Sequence, residues 1–573
     1  MSSTKKLKSF PFKLNKNTIT NQFFLMKKII LCVAILYSGL TFSQDGGYFF
    51  GGFESNSQFL LDDEGLNFIA PEDQFRANNY FRLDYNLGKF TAGVQYETYL
   101  PAALLGYAPI YDGNNGIGTY YLNFKHKTLD ITAGYFYEQF GNGLILRSWE
   151  DRQLGINNAI KGIRIICSPL DYLNITGVYG KTRNGFDVSE GVTQGIDANL
   201  YISEALKMEK VELSIGASYV SRYQSSGTND SIPSTVNAYG GRFNFVAGDF
   251  YGGIEAIIKD PDVIANEGQI SSNKLYDGTA MQVDLGYAKK GLGVNATFRR
   301  LENFAFYADR LAEGNIYNQE LISYTPALTK QQDYMLTNIY VYNAQPRLII
   351  ESYDQRAGEV GAQIDLYYKI KKGTALGGKY GTKIAANFSY WAGLDAEYNI
   401  ENRWYEAKFI GKGPKLFRDF SLEVKKKISK KWSAIATFQN VIVDKGIVYG
   451  GPLEDEGDIE ASIAVLEGTY KFEGSKSVRF VLQHLWAEKD RKNWAAGVLE
   501  YNFNSRFALY VADNWNYGDT DIHYYSVGGS YSKGRTRLGV NYGRQRGGLI
   551  CIGGVCRFVP ENTGVTANLT VSF

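Results

Sequence analysis

Residues 565–573, VTANLTVSF, alternate apolar and polar side chains up to the last residue of the chain. The apolar set is Val565, Ala567, Leu569, Val571 and Phe573. A side-chain period of two is that of a β-strand, in which successive residues point to opposite faces. The stretch therefore predicts a strand with one apolar and one polar face.

The same alternation recurs along the chain, for example at 281–288 and 360–369. The composition agrees, because Gly (62), Tyr (43) and Phe (34) are abundant while Cys, Met and His number only 4, 5 and 3. Basic and acidic residues nearly balance, 61 against 59, and no basic patch with interleaved aromatic residues is present. A nucleic-acid partner is therefore not expected.

Connections between the alternating segments are short and long in turn. The short ones carry Gly, Lys or Asn, at 87–89, 289–291, 429–431, 502–505 and 533–535. The long polar ones are 61–77, 101–117, 140–160, 182–192, 224–236, 260–277, 301–357, 392–402, 444–458 and 546–563. This rhythm predicts an all-β transmembrane antiparallel β-barrel of about 24 strands, within about 22–26, with short periplasmic turns and longer extracellular loops. A β-sandwich or propeller is the alternative, but it lacks this alternation of connection lengths.

The strand count is least certain at 403–428, which reads as one long strand or as two. No stretch after residue 45 approaches the roughly 18 consecutive apolar residues of a membrane-spanning helix.

The N-terminal region predicts export. Met26 opens a short basic segment, an apolar run follows at 29–40, and small residues precede Gln44. This order is typical of a secretory signal peptide. We expect residues 1–25 to be an over-extended N-terminus, 26–43 the cleaved signal peptide, and 44–573 a single barrel domain in the outer membrane of a Gram-negative bacterium.

Charged residues within the alternating segments are expected to line the lumen. A Lys or Arg facing mid-bilayer lipid costs about 2–4 kcal/mol, so both signs of charge belong inside. A barrel this wide needs water, loops or a plug to fill it. The lumen candidates in strands are Arg82, Asp84, Arg242, Asp284, Arg299 and Asp365.

A charged group in the 140–160 loop is the sharpest candidate site. It contains Arg147, Glu150, Asp151 and Arg152. These residues either form a mixed-charge constriction facing the lumen, or they pair with one another and pin the loop to the barrel wall. Both interpretations remain open at the level of sequence.

Two further groups predict loop chemistry. Cys551 and Cys556 flank a Gly-Gly turn in the last large loop of an exported chain, a setting that favours a disulfide. An acidic loop is a weak calcium candidate, although its spacing matches no defined cation loop. Its residues are Glu454, Asp455, Glu456 and Asp458.

Enzymatic motifs are weak, and we expect neither catalysis nor a cofactor. His126, His484 and His523 lie in separate segments without a Ser/His/Asp pattern. The glycine-rich stretch 373–380 has Tyr where a phosphate-binding loop needs Ser or Thr, so it predicts a turn. The stretch 291–296 imitates a dinucleotide motif but begins a strand.

The signal ending at Ser43-Gln44, the Tyr- and Gly-rich strands, the charged motif at 140–162 and the terminal Phe573 together resemble an uncharacterised family of Bacteroidetes (flavobacterial) outer-membrane barrel proteins. The motif FGxG…GIxNAIxG also resembles the inward loops of channel-type porins, including alginate-export-like ones. The resemblance implies a porin-like barrel in outer-membrane lipid. Phe573 implies recognition by the outer-membrane assembly machinery. The family itself carries no established activity.

These observations favour a porin-like channel for small polar solutes with a loop-constricted, mixed-charge lumen. One alternative is a non-conducting scaffold subunit of an outer-membrane assembly, secretion or motility complex, which would contact other envelope proteins and whose lumen is filled by loops such as 301–357. An embedded outer-membrane hydrolase is a further, weaker alternative.

Overall fold

In the computed structural model, the alternating segments form one closed antiparallel barrel of 24 strands, as predicted. The structure describes residues 46–227, 229, 231–352, 354–449 and 457–573. The strands are β1 Tyr48–Leu60, β2 Phe75–Leu87, β3 Phe90–Thr98, β4 Asn115–His126, β5 Leu129–Phe136, β6 Ile160–Leu170, β7 Leu173–Asn184, β8 Val192–Tyr201, β9 Val211–Tyr223, β10 Thr235–Ala247, β11 Phe250–Asn266, β12 Gln269–Lys289, β13 Leu292–Glu302, β14 Gly358–Ile370, β15 Thr382–Gly393, β16 Lys415–Lys427, β17 Trp432–Asp444, β18 Asp458–Lys471, β19 Ser477–Ala487, β20 Trp494–Asn502, β21 Phe507–Asn516, β22 Ser526–Lys533, β23 Thr536–Gln545 and β24 Asn562–Ser572.

The C-terminal alternating stretch lies at the seam of the barrel. Each strand pairs with the next along the chain, and β1 pairs with β24 to close the ring, from Gly52 opposite Ser572 to Leu60 opposite Gly564. Phe573 extends the seam, since its backbone N–H donates to the Gly51 carbonyl oxygen over 3.1 Å. Closure leaves no sheet edge, which a bilayer requires because it offers no water to satisfy one.

Connections at one end of the barrel are mostly short, and we call this the short-turn end. Those at the other end, the long-loop end, include 61–74, 99–114, 137–159, 303–357, 394–414 and 546–561. One predicted loop is wrong, because β11 and β12 run through 260–277 to a tight turn at 267–268 with several register shifts on the way. The ambiguous stretch 403–428 supplies only β16 to the barrel, since Trp404–Ala407 pairs with Ala396–Asn399 inside a loop.

Short elements decorate the connections. The α-helical turns are Ile202–Ala205 and Lys445–Tyr449, and the 3-10 turns are Glu64–Leu66, Pro109–Tyr111, Glu313–Tyr317 and Leu336–Asn338. The remaining two- to five-residue strands are Gln139–Phe140, Leu146–Arg147, Glu150–Asp151, Ile156–Asn157, Asp187–Val188, Ile349–Ile350, Gln355–Arg356, Ala396–Asn399, Trp404–Ala407, Ile522–His523, Gly548–Ile552 and Val555–Val559. Within the described residues, no helix is long and apolar enough to cross a membrane.

The outer face of the barrel is apolar. Large aliphatic and aromatic side chains are exposed along the strands, among them Leu122, Ile196, Leu285, Leu482 and Val511. A face of this composition is costly in water and natural in lipid. The core of the molecule instead lies inside the barrel, where loops pack against the inner wall.

The structure shows where the two glycine-rich stretches lie, whereas the predicted N-terminal segments fall outside the described residues. The glycine-rich stretch 373–380 lies in the connection 371–381 at the short-turn end, and 292–296 belongs to β13, so neither forms a phosphate-binding loop. The predicted N-terminal extension 1–25 and the signal peptide 26–43 lie outside the described residues.

Candidate functional site in the lumen

The loop 303–357, which we call the plug loop, enters the lumen instead of extending into solvent. It carries many apolar side chains, and Phe304, Phe306, Leu336, Tyr342 and Leu348 are at most 1% exposed. Such a segment gains free energy by burying these side chains, at about 25 cal/mol per Å² of apolar surface. We divide it into a first arm, 303–325, and a second arm, 327–345, which meet different parts of the wall.

The first arm packs on the wall formed by β6 to β13. Phe304, Phe306 and Ile322 join a buried apolar cluster with Val220 and Ile257 of the inner wall. The cluster holds the arm close to the strand ends at the long-loop end, so it narrows the mouth of the lumen.

The first arm is also tied down by a buried ion triad. Asp262 of β11 accepts from Arg222 of β9 over 2.8 Å and from Arg310 of the arm over 2.9 Å. Both guanidinium groups are at most 3% exposed. Charges withdrawn from water this completely are tolerated only when they are paired, so the triad depends on all three members.

The second arm crosses to the opposite wall, formed by β15 to β20. Leu336 and Tyr342 join a large buried cluster with Trp391 and Leu485. The Leu336 backbone N–H donates to the side-chain oxygen of Gln483 over 3.0 Å. This arm is therefore held mainly by apolar packing.

The second arm also descends toward the short-turn end. The Tyr334 hydroxyl donates to Glu467 over 3.3 Å, and Glu467 lies near the short-turn end of β18. Together the two arms span the lumen from wall to wall.

The loop 137–159 locks against the first arm. Its Arg147 N–H donates to the Ile322 carbonyl over 2.9 Å, and the Tyr324 N–H donates to the Gly143 carbonyl over 3.0 Å. Gly141 and Gly143 have φ of 55° and 88°, a left-handed conformation that glycine adopts without strain. These glycines turn the loop inward, as the sequence motif predicts.

The four charged residues of this loop make two kinds of contact. Arg152 contacts Glu54 over 2.6 Å and Glu150 over 3.1 Å, and its guanidinium lies 4.1 Å from the Tyr80 ring centre. Asp151 accepts two backbone N–H groups of its own turn, each over 2.8 Å. These three side chains therefore fasten the loop to the wall and shape its turn.

Arg147 behaves differently. Its guanidinium stacks on Tyr324 at 3.9 Å and on Trp149 at 5.3 Å from the ring centres. It forms no ion pair with any residue that the structure describes. The contact joins the two inward loops through a cation whose charge no carboxylate balances.

The six strand candidates alternate with outward apolar side chains and face the lumen, but they are not equivalent. Arg82 binds Asp84 over 2.7 Å while remaining 53% exposed. Arg82 is therefore accessible from the part of the lumen toward the short-turn end, which we call the vestibule. Asp284 and Asp365 accept from neighbouring Gln side chains, each over 2.9 Å.

The other two candidates are buried by the loops or by neighbouring side chains. Arg299 pairs with Glu359 over 2.8 Å, both fully buried, and the Tyr342 hydroxyl of the second arm donates to the same carboxylate over 2.5 Å. Arg242 pairs with Asp197 over 2.7 Å. Arg242 and Arg299 therefore tie the strands together, although Nε and Nη1 of Arg299 have no hydrogen-bond partner among the described residues.

Sequence reasoning missed Glu359, which completes the Arg299 pair, and it missed other buried ion pairs. Arg183 and Glu97, fully buried partners 2.7 Å apart, are separated by 86 residues. Asp262 and Arg310 are 48 residues apart. A charge in an alternating segment signals a lumen position, but only the barrel closure and the loop path bring its partner to it.

One buried carboxyl in the first arm lacks a partner. Glu320 is fully buried, and neither of its carboxyl oxygens has a hydrogen-bond partner among the described residues. Burial, with the nearby charge of Asp309, raises the pKa of Glu320 well above its ordinary value.

The hairpin formed by Gly548–Ile552 and Val555–Val559 touches both arms where they join. Cys551 and Cys556 face each other across it and are joined as a disulfide. The Ala327 N–H donates to the Gly554 carbonyl over 2.7 Å. The hairpin therefore rests on the second arm.

Metal-binding geometry is lacking in the described ranges, where no group of three or more candidate side chains occurs. Of the acidic-loop candidates, Asp458 pairs with Lys415 over 2.5 Å. Glu454, Asp455 and Glu456 lie outside the described residues.

The three histidines are only partly separate. His484 bonds the Tyr517 hydroxyl over 2.8 Å, and His523 pairs with Asp513 over 2.6 Å. Trp515 stacks on His523 and makes a tilted contact with Tyr517, so the two histidines belong to one outward aromatic group. No serine hydrogen-bonds to either ring in the part of the chain that the structure describes.

Between the inward loops lies a cavity of about 380 Å³, which we call the mouth cavity. Its wall comes from 137–159, the plug loop, residues 266–267 at the end of β11, 445–449 and the 548–559 hairpin. Arg347, Arg356, Arg557 and Glu267 are its charged lining residues.

Comparisons with known proteins identify a family and establish no activity. A family model described as a family of unknown function, DUF6029, matches residues 26–573, and no curated protein matches the sequence. Among solved structures, the chain is similar to the E. coli P pilus tip assembly intermediate PapC-PapD-PapK-PapG, with 10% identity and a TM-score of 0.47, over 93% of this chain and 62% of that one. This chain thus spans less than two thirds of that length.

Two further structures are similar at lower scores. Pseudomonas aeruginosa OpdL shows 10% identity and a TM-score of 0.33, over 78% of this chain and 99% of that one. The E. coli outer membrane transporter YddB shows 8% identity and a TM-score of 0.37, over 91% and 81%.

Proposed function

The chain belongs to the DUF6029 family, whose function is unknown, and we propose that it is an outer-membrane channel that passes small polar solutes through a lumen narrowed by its own loops. The apolar outer face and the closed sheet support residence in a bilayer. The predicted signal peptide supports export to the outer membrane.

The observation that carries this proposal is the uneven use of charge along the lumen. Toward the short-turn end, Arg82 and Lys125 remain 53% and 72% exposed, so the vestibule is hydrated. At the loops many charges are paired and buried, as in the triad of Arg222, Asp262 and Arg310, whereas Arg147 and Glu320 form no ion pair with a described residue. A hydrated vestibule that leads to a narrow, charged passage suits diffusion of small solutes and excludes large ones.

Planar-bilayer recording of the purified full chain tests the proposal. We expect small stepwise conductance in potassium chloride, since the plug loop leaves only a narrow path. R147Q should shift the permeability ratio toward cations, because it removes an unbalanced positive charge. R506Q, at an exposed arginine of the 503–506 turn, is the matched control and should leave the ratio unchanged. A barrel that never conducts contradicts the proposal.

The second candidate, a non-conducting scaffold subunit, is favoured by one specific observation. Both arms bury apolar side chains on opposite walls, as a permanent seal would. Crosslinking in native membranes separates the two functions. A stable complex with other envelope proteins, together with silence in bilayers, favours the scaffold; a lone conducting species favours the channel.

A further inference from the structure

We propose that the mouth cavity is a binding site for small organic anions, so that the channel, if the proposed function holds, selects anionic solutes. The inference rests on the cavity's arginines and on the partners that these arginines have. It names the solute class and therefore goes beyond passage of polar solutes in general.

Arg347 is the first cation of the site. Its guanidinium donates to the side-chain oxygens of Asn266 over 2.9 Å and Asn318 over 3.0 Å. Both partners are neutral amides, which orient the guanidinium without cancelling its charge. Arginine held in this way presents its remaining N–H groups in the planar fork that matches a carboxylate.

Arg557 is the second cation. One of its terminal nitrogens donates to the carbonyl oxygens of Gly106 and Leu154, each over 3.1 Å. Its other partner is the ring of Tyr107, 5.2 Å from the guanidinium. Burial lowers the pKa of Arg557, as expected of a cation withdrawn from water without an anion in contact.

The rest of the lining offsets these charges only in part. Arg356 is already matched by Asp354. Glu267 is the one carboxylate among the described lining residues, and it forms no ion pair with a described residue. Arg147, stacked on the lining residues Trp149 and Tyr324, adds a further positive charge beside the cavity. The described wall is therefore cationic overall.

Size and chemistry define the ligand. A volume of about 380 Å³ lies at the low end of pockets for small molecules, which are typically about 300–1,000 Å³. The side-chain amide of Asn343 adds a neutral polar group to the lining, while Ile316 and Phe558 are 57% and 64% exposed and mark the approach from solvent. The site fits a compact anion with carboxylate groups.

Calorimetric titration of the detergent-solubilised full chain with succinate tests the site directly. Succinamide, neutral and of the same size, is the ligand control. We expect succinate to bind and succinamide not to bind. R347Q and R557Q should each weaken succinate about tenfold or more, since a hydrogen bond to a charged group is worth about 1.5–3 kcal/mol. R506Q should bind like the wild type.

R347K distinguishes a loss of ligand binding from a loss of folding, because it keeps the positive charge and removes the planar guanidinium group. It should recover part of the affinity lost in R347Q, and both variants should melt with the wild-type circular-dichroism profile. Absence of succinate binding, equal binding of succinamide, or wild-type affinity in R347Q and R557Q overturns the inference.

Conductance distinguishes failure of the site from failure of the channel. Stepwise potassium chloride currents with unchanged anion selectivity in R347Q and R557Q leave the channel standing and remove the anion site. Succinate binding by a barrel that never conducts retains the site and removes the channel.

Discussion

The two arms of the plug loop are attached to the barrel wall by different interactions. The first arm, 303–325, brings charges into the lumen and fastens Arg310 to Asp262 beneath an apolar cluster. The second arm, 327–345, contains only Lys330 and Asp333 as charged residues and is held by Leu336, Tyr342 and their neighbours. The first attachment combines a buried ion triad with apolar packing. The second combines apolar packing with hydrogen bonds from Tyr334, Leu336 and Tyr342 and contains no ion pair within the described residues.

Because the two arms are attached differently, different substitutions should destabilise them. A buried ion triad fails as a unit, because loss of one member leaves charges without compensation. Apolar packing fails by degrees, in proportion to the volume removed. We therefore expect the first arm to respond to charge and pH, and the second to side-chain size.

The largest effect should come from D262N. It leaves Arg222 and Arg310 buried without a carboxylate, and it should lower the free energy of unfolding by about 3–5 kcal/mol in urea titrations of the micellar protein. D249N is the control, since Asp249 pairs with Lys289 at 3.9 Å in an exposed turn and should cost at most about 1 kcal/mol. An equal decrease in the free energy of unfolding of both variants would show that the ion triad does not anchor the first arm.

L336A tests the second arm. Leu336 is fully buried, so truncation should cost about 2–5 kcal/mol through lost burial and a residual cavity. The loss should not depend on salt concentration. L311A is the control, because Leu311 is 55% exposed on the first arm. A salt-dependent loss, or one no larger than that of L311A, would show that packing does not anchor this arm.

The hairpin disulfide should have an intermediate effect. Without reductant, alkylation followed by mass spectrometry should leave Cys551 and Cys556 unlabelled. C551S/C556S should cost about 2 kcal/mol, at the low end for disulfides because the closed loop is short. We expect the destabilisation to affect mainly the second arm, because the hairpin contacts it. C167S, at a free cysteine, is the control; free thiols at 551 and 556 would contradict the pairing.

The smallest effect should be the pH response of Glu320. Its raised pKa means that the closed plug favours the protonated form, so plug stability is greatest in acid and falls as pH rises toward that pKa. E320Q should abolish this fall, with a gain on the order of 1 kcal/mol in mildly alkaline buffer. Melting across a pH series measures it. E313Q, at an exposed residue of the same arm, should keep the wild-type pH profile; a flat wild-type profile would contradict the assignment.

Much of the fold could be predicted from the sequence, because strand alternation and connection length are local properties. Residues 565–573 are an example, since their pattern alone predicts the outward and inward faces. The prediction of a loop at 260–277 was wrong, because the polar composition of this stretch gave no sign that β11 and β12 continue to pair. The site was less predictable. Arg147 and Arg152 lie in the same charged stretch of sequence, yet only Arg152 pairs with Glu54. The sequence does not indicate this pair, because the folded barrel brings Glu54 of β1 to the loop.

Planar-bilayer conductance of a variant with a shortened plug loop tests whether this loop narrows the lumen. Residues 308–345 are replaced by a short Gly-Ser linker, which removes most of both arms and keeps β13 and β14. If the plug loop narrows the lumen, the variant should show stepwise conductance many times that of the wild type and should lose ion selectivity. Equal conductance and selectivity in the two proteins would contradict the account.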